Sequence, residues 1–521
     1  MELVTYDIFR ATENGKIVSG LWVHTQTTVI PEKMLHKATE VVPTPDNTTT
    51  KSRYVANGST QRPVIDYDQT FAGVFSYNTF RLLLQIAVQR ELKIVTFDLE
   101  RAFLQNTLDR TNLFMTCPKD IGETDAQGRP QIFRATKGQY GLTQSGHLLY
   151  KNVIKFADEK GFKKFVTDPC TFTRFTGKHT EYLSVYVDDI IFLSPSVVSS
   201  QQFEVELRQR FTLNEQKSIQ SESKRQIILG AQLDRNWENG YLIMSNGTYI
   251  QGMTERFGLE KCPKTLSPIS PGTILRKAQP NEIVDNEIYR QKVGSLMFLS
   301  TTCRPDIAQA TGQLTKYFEK PSQQHVDAAD KVIAYLYHSK KMGIKFQKVG
   351  QGVRTMFNGA PDNEINAFCD ASHQSDPDTF RSVNGGLILW HMTPIAWWSK
   401  ISRTHSTSTA ESELCSAVEL IKALMMFRLM LEEAQYKQLY PTEVFEDNSA
   451  TISFAELYQG VRKVKHYLSR VAFVQEQHES GIFKFTQVGT KNQLADALTK
   501  PLPISQYKDF VEKIQMINAP N

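Results

Sequence analysis

The sequence predicts a multidomain protein of mixed architecture, α+β in its first part and α/β in its last. Three observations predict it. The chain has 521 residues, more than a single hydrophobic core ordinarily supports. Two adjacent aspartates, Asp188 and Asp189, stand between apolar, β-branched runs in LSVYVDDIIFLS, Leu183 to Ser194. From Glu364 onward, strand-like and helix-like segments alternate, as in a mixed sheet covered by helices.

Composition narrows the classes without choosing among them. The apolar share of 40% and charged share of 22% are those of a globular chain. A formal charge of +5 is compatible with nucleic-acid binding but does not argue for it, since local basic faces matter more than the total. Six cysteines without a CxxC pair indicate neither a zinc site nor a disulfide framework and fit a reducing compartment. No apolar run reaches membrane-spanning length, and no signal-peptide pattern opens the sequence. No internal repeat is visible.

Taken in order, residues 1 to about 50 predict a strand or two, around GKIVSGLWV, followed by a loop ending in PTPDNTTT. KSRYVANGSTQ (Lys51 to Gln61) precedes a segment ending in an apolar helix, Phe80 to Val88. In LKIVTFDLERAFLQNTL, a strand ends at Asp98 and AFLQ begins a turn or short helix. Alone, Asp98 also reads as a cap for that turn. The Asp188–Asp189 pair cannot lie in mid-strand with both side chains on one face, so a tight hairpin with both at its tip is expected. Two anions this close repel unless a cation sits between them, and such oxygen ligands suit magnesium. An ordinary polar turn is the alternative. Residues 245 to about 345 predict helices with proline-rich links, and the Gly- and Pro-punctuated stretch Gly350 to Glu364 a boundary.

The succession KSRYVANGSTQ, DYDQTFAGV, TFRLLL, FDLERAFLQ, GQYGLTQ, DPCTF and YVDD resembles the reverse transcriptase of copia-type LTR retrotransposons. LGAQLDRN, YIQGMTERFGL, YRQKVGSLMFLSTTCRPDIA and HVDAADKVIAYLYHSKKMGI extend the resemblance downstream. It implies a right-hand polymerase with fingers and palm in 1–245, thumb and connection in 246–350, and a further unit in 360–521. It also implies that Asp98, Asp188 and Asp189 hold two magnesium ions, with manganese as a substitute. Lys51 and Arg53 match basic positions that touch nucleotide phosphates, as a guanidinium fork suits them. Phe103 matches an aromatic gate against the ribose 2′-hydroxyl, or else is a core phenylalanine. Tyr186 and Gln144, inside the matched blocks, join the implied substrate-binding set. His147 and Leu149 depart from the family's arginine and tryptophan, and HTQ after GLWV replaces a lysine.

The last unit reads βββαβαβα: INAFCD, GGLILW, PIAWWSK, a long helix from Thr409, TEVFED, VRKVKHYLSRVAFVQEQ, IFKFTQV and NQLADALTK. Leu414, Val418 and Ile421 follow Glu411 at helical spacing, so this glutamate is expected on or beside the apolar face. There it is costly unless paired or bound to a cation. Asp370 and Asp447 fall at strand ends, and Asp496 opens the last helix. Caps and a rim glutamate are the alternatives. The order Asp, Glu, Asp, Asp resembles ribonuclease H, which implies Asp370, Glu411, Asp447 and Asp496 as ligands of two magnesium ions and Asn492 as a loop residue at the substrate. That loop, VGTKNQLAD, has no histidine. Arg462, Lys463, Lys465, His466 and Arg470 suit phosphates of a hybrid or a solvated helix face.

The expected activity is RNA- and DNA-directed DNA synthesis with cleavage of RNA in the RNA–DNA hybrid. The implied partners are an RNA template, a DNA primer, deoxynucleoside triphosphates, a second copy as homodimer, and Gag and integrase of the same element. The expected setting is cytoplasmic virus-like particles, then the nucleus with the cDNA. Protease and integrase signals are absent, so the chain is expected to be the processed C-terminal part of a Gag-Pol polyprotein, or a fragment of one. A decayed or co-opted nucleic-acid-binding remnant is the alternative, and a chain with only the nuclease working is another.

Overall fold

A computed structural model describes residues 2–4, 16–18, 20–28, 48–110, 112–116, 124, 126–129, 131–177, 179–214, 225–348, 365–456 and 465–519, with side chains from residue 55 and, in the last segment, from residue 466. Strands β1 (Glu2–Val4), β2 (Lys16–Val18), β6 (Leu113–Thr116) and β7 (Ile132–Arg134) form one sheet in the order β1-β7-β6-β2. β3 (Gly20–Thr28) and β4 (Thr48–Ala56) pair as a separate antiparallel ribbon. A second sheet runs β5-β11-β10-β9-β8, from β5 (Lys93–Asp98), β8 (Lys163–Lys164), β9 (Thr171–Phe175), β10 (Thr180–Tyr186) and β11 (Asp189–Ser194).

Helix α1 (Tyr77–Gln89) starts where Ser76 accepts the Thr79 N–H. Phe80 to Val88 are all buried, so the helix lies in the core rather than on a surface. α2 (Ser145–Glu159) and α3 (Val197–Arg208) lie in the same half of the chain. Phe156 from α2 and Phe203 from α3 pack with Phe97 and Phe192 of the sheet.

A third sheet joins distant parts of the sequence. β12 (Arg225–Ile228), β13 (Ala231–Asn236) and β14 (Tyr241–Ser245) continue through β15 (Met342–Gln347) to β21 (Met516–Asn518), near the end of the chain. The sheet therefore crosses both boundaries expected from sequence, at 245/246 and at 350–360. Strand pairing over such separations leaves no trace in local composition. Between β14 and β15 lie α4 (Gly247–Arg256), α5 (Asn286–Thr302), α6 (Ala308–Thr315) and α7 (Gln323–His338).

The C-terminal sheet comprises β16 (Ile365–Ser372), β17 (Val383–Trp390), β18 (Thr393–Ile401), β19 (Thr442–Glu446) and β20 (Phe483–Gln487), in the order β18-β17-β16-β19-β20. β16, β17 and β18 are antiparallel, whereas β19 runs parallel to both β16 and β20. The 25-residue helix α8 (Thr409–Glu433) covers β16 and β17. α9 (Ser449–Glu456), α10 (Leu468–Glu479), α11 (Asp496–Thr499) and α12 (Ile504–Lys513) come after it. Gly386 is required on β17, because a Cβ there would fall 2.1 Å from the Trp398 ring.

The two halves share one core. Arg81 of α1 is 2% exposed and stacks 3.9 Å from the Trp397 ring centroid on β18. It donates to the carbonyls of Ile395 (2.9 Å), Thr301 (2.7 Å) and Thr302 (2.8 Å). Burial lowers its pKa to about 9. Arg81→Ala strands two buried acceptors, at Ile395 and Thr302, and a part-buried one at Thr301, each buried one worth about 1–3 kcal/mol when orphaned. It should lower the denaturation midpoint sharply, and circular dichroism would show both halves melting together. A shift no larger than that of a surface Arg→Ala variant would contradict this coupling.

Two candidate active sites

The first site forms where β5, β10 and β11 meet. Tyr186 ends β10 and Asp189 opens β11, leaving Val187 and Asp188 as a two-residue connection. Only Asp188 is therefore at the tip; Asp189 is already in the ladder. Asp189 lies directly opposite Asp98 on β5, so the two side chains leave the same face of the sheet. The Leu99 N–H donates to the Asp188 carbonyl at 2.9 Å, and Asn214 N–H to that of Asp98 at 2.9 Å. Val187 holds φ at 55°, a strained value for a β-branched residue and of the kind that clusters at functional turns. All three aspartates are half-buried.

Phe103 is half-buried on a 3₁₀ turn, Ala102–Gln105, and meets the Tyr140 ring edge-on at 4.9 Å. Gly141, at φ +89°, lets this region close on β4: a Cβ would lie 2.0 Å from the Ala56 carbonyl. Lys51 and Arg53 sit on β4 opposite Thr25 and Val23; their side chains lie outside the described residues. Tyr186 packs edge-on against Phe75 at 6.0 Å. Gln144 is 1% exposed, and its amide is consumed by Gln61 (3.0 Å) and the Asp66 carbonyl (3.3 Å). It is thus a buried scaffold residue rather than one facing a substrate. Leu149 fills the core beside Val153 and Phe156, and His147 Nδ1 meets the Phe71 carbonyl at 2.8 Å. A cleft of about 520 Å³ opens beside the turn, lined by Glu100, Arg101, Gln105, Lys137, Arg210 and Thr212 among others.

The second site lies at one end of the C-terminal sheet. Asp370 on β16 and Asp447, just past β19, are brought together by the parallel pairing of these strands. Their third partner is Glu413. Oxygen atoms of Asp370, Glu413 and Asp447 all lie within 4.8 Å of one another, the metal-competent group found among the described residues. Asp496 opens α11 beside Asp370 and pairs with Lys500 at 2.9 Å. Thr499 Oγ1 donates to Asp370, and Thr490 Oγ1 to Asp447 at 3.0 Å.

The structure does not bring Glu411 into this cluster. Its carboxylate accepts from Thr407 N–H (2.8 Å) and Oγ1 (2.9 Å), and His466 and Arg470 each approach to 3.5 Å. Burial alone would raise its pKa, but the Thr407 hydrogen bonds and the neighbouring His466 and Arg470 hold it below the usual range. Residues two apart on a helix point about 200° away from each other, so Glu411 and Glu413 cannot both face the aspartates. The apolar stripe did not discriminate, because α8 is buried on nearly every side in its first half. A usable signal was present: Ser408-x-x-Glu411 is a helix-start signature, and Ser408 does accept the Glu411 N–H at 3.2 Å.

Gln493 was also missed. Its amide donates to the carbonyls of Cys369 (2.9 Å) and Phe445 (3.3 Å), tying the loop before Asp496 to both ligand-bearing strands. Asn492 is exposed and accepts from Lys513 at 3.0 Å. Arg462 and Lys463 lie outside the described residues, as does the side chain of Lys465.

Burial and the neighbouring Glu446, Asp370 and Asp447 push the Glu413 carboxyl up to about 10. Burial and Asp370 push Asp496 to about 7, and burial raises Asp370 as well. Glu413 Oε2 is buried without a hydrogen-bond partner. An all-oxygen group of acids at this spacing, with one oxygen unsatisfied, fits a hard divalent cation.

A family model described as reverse transcriptase (RNA-dependent DNA polymerase) matches residues 4–271. The chain belongs to that reverse transcriptase family. It is 28% identical over 471 residues, 90% of its length, to the retrovirus-related Pol polyprotein from transposon RE1 of Arabidopsis thaliana, covering 30% of that protein. To the Pol polyprotein from transposon TNT 1-94 of Nicotiana tabacum it is 25% identical, over 89% of this chain and 34% of that one. The reverse transcriptase thus spans about a third of these relatives, which carry the copia-type resemblance across most of the chain. Among solved structures, LC11 ribonuclease H1 from compost aligns with 26% of this chain and 93% of its own at 17% identity and a TM-score of 0.21. No helix among the described residues is long and apolar enough to cross a membrane.

Proposed function

We propose that this reverse transcriptase copies retrotransposon RNA into DNA at Asp98, Asp188 and Asp189, and cleaves the RNA of the resulting hybrid at Asp370, Glu413, Asp447 and Asp496. The observation that carries the reading is two separate acidic centres on one shared core. Residues 1–245 would act as fingers and palm, and 246–350 as thumb and connection, with β12–β14 and β21 joined to the latter by their sheet.

At the first centre, Asp98 and Asp189 present carboxylates from one face and Asp188 from the turn, a donor set suited to two magnesium ions, or manganese in their place. When bound, such ions supply Lewis acidity, lowering the pKa of an attacking hydroxyl and offsetting charge on the leaving group. The residues do the positioning. Phe103, braced by Tyr140, would abut the sugar of an incoming deoxynucleotide, and Lys51 and Arg53 would meet its phosphates. Arg101 and Lys137 line a cleft beside this turn that suits a polyanion. At the second centre, the acids would hold the cation pair while His466 and Arg470 stand at the rim, where phosphates of an A-like hybrid would pass. The setting would be virus-like particles with Gag and integrase of the element; a homodimer belongs to the same expectation.

The raised acids give this reading a pH signature. Without a cation, a carboxyl whose folded pKa lies above its unfolded value contributes stability that is full below the unfolded pKa. That stability is lost as pH rises through the folded value. For Glu413 the window runs from the ordinary carboxylate range to about 10. Metal binding displaces those protons, so magnesium should raise the melting temperature more at pH 8.5 than at pH 6, to be read by scanning calorimetry. An increment independent of pH would contradict a cation at these acids.

The polymerase reading is tested by extension of a DNA primer on a defined RNA template with magnesium and deoxynucleotides. Failure to extend, under conditions in which the hybrid binds, would overturn it.

A further inference from the structure

Behind the second cluster lies a carboxyl outside the expected set. Glu446 is 0% exposed, as is Cys369. The ladder between β16 and β19 pairs Phe368 with Phe445, whose rings stack at 4.7 Å on one face. Side chains alternate along a strand, so Cys369 and Glu446 turn to the opposite face, under α8. There the Cys369 thiol donates to Glu446 Oε2 at 3.2 Å, and the Asn448 N–H to Glu446 Oε1 at 3.0 Å. Each member of this bridge immediately precedes a cluster aspartate: Cys369 before Asp370, Glu446 before Asp447. The bridge thus spans the two strands at the point where they deliver those ligands.

A second contact crosses the same gap: Gln493 ties the Cys369 and Phe445 carbonyls together. Gln493 acts on backbone, whereas the thiol–carboxylate contact is the side-chain link. A buried acid next to further acids is costly in a merely structural role. Its place beside Glu413 and directly before Asp447 points to service at the cluster.

We propose that Glu446 is a positioning residue for the nuclease cluster, its bridge to Cys369 and Asn448 setting the separation at which Asp370 and Asp447 take a divalent cation. This rests on reading the cluster as a metal-binding nuclease centre. Partners that orient metal ligands typically contribute 10–100-fold in affinity. The bridge acts through the backbone of the ligands, so the effect belongs at the low end of that range.

The test is Mn²⁺ binding to the full chain, followed by electron paramagnetic resonance in an Asp188→Asn background that weakens the other centre. Cys369→Ala removes the donor and leaves the fold's volume nearly intact. It should weaken the remaining binding about tenfold. Cys369→Ser returns a donor and should recover most of the loss. Glu446→Leu should weaken binding at least as much as Cys369→Ala, with a circular dichroism spectrum that matches the parent's. Unchanged affinity in Cys369→Ala and Glu446→Leu, with Asp447→Asn still abolishing the binding, would overturn the bridge and spare the nuclease reading. Binding unaffected by Asp447→Asn would overturn the nuclease reading itself. Loss in Cys369→Ala without recovery in Cys369→Ser would also count against the bridge, assigning the effect to packing.

Discussion

Asp188→Asn should reduce primer extension by about a thousandfold or more and leave cleavage of hybrid RNA within about threefold of the parent. The carboxylate sits at the tip of a two-residue turn, next to Asp189, which lies across from Asp98. A lost ligand of this kind forfeits several kcal/mol of charge stabilisation, and each 1.36 kcal/mol is about tenfold in rate. Asparagine keeps the side chain's shape, so the turn survives. The second cluster is held by other strands and should work nearly unchanged. Parallel assays of extension and RNA cleavage measure both quantities. Equal loss of both activities would indicate that the substitution unfolds the shared core instead.

The second large effect separates two glutamates a single residue apart. Glu413→Gln should lower RNA cleavage about a thousandfold, because it replaces an acid that lies within 4.8 Å of Asp370 and Asp447. Glu411→Gln should lower it less than about tenfold. Its side chain is occupied by Thr407, and glutamine can still accept one of those hydrogen bonds. Primer extension should be unaffected in both variants. The reverse ranking, with Glu411→Gln the dead enzyme, would show that the helix presents its other face to the metal.

That ranking marks how far the sequence could be read. Ordered blocks such as FDLERAFLQ and YVDD pointed to Asp98, Asp188 and Asp189, which the fold places at neighbouring strand ends, because a strand end and a tight turn are local events. The hairpin was legible from alternation; that only Asp188 occupies the tip was not, since register depends on the partner strand. Asp370, Asp447 and Asp496 stood out at element ends. The glutamate did not, because a helix buried on almost all sides has no single apolar stripe to orient it. Gln144 misled for the opposite reason: its block matches the family, yet its amide is spent on Gln61 and Asp66. The sheet uniting β12–β14, β15 and β21 was invisible, as was the Arg81 contact between the halves. Both join residues more than a hundred positions apart, and neither leaves a local pattern.

The most direct measurement tracks both strands of one reaction: a labelled DNA primer on a labelled RNA template, with magnesium and deoxynucleotides. Two working centres on one body predict extended DNA together with shortened RNA. Extension over intact RNA would contradict the nuclease assignment. Neither product, with the hybrid bound in a salt-sensitive way, would contradict the account at its centre and leave a chain that binds nucleic acid without acting on it.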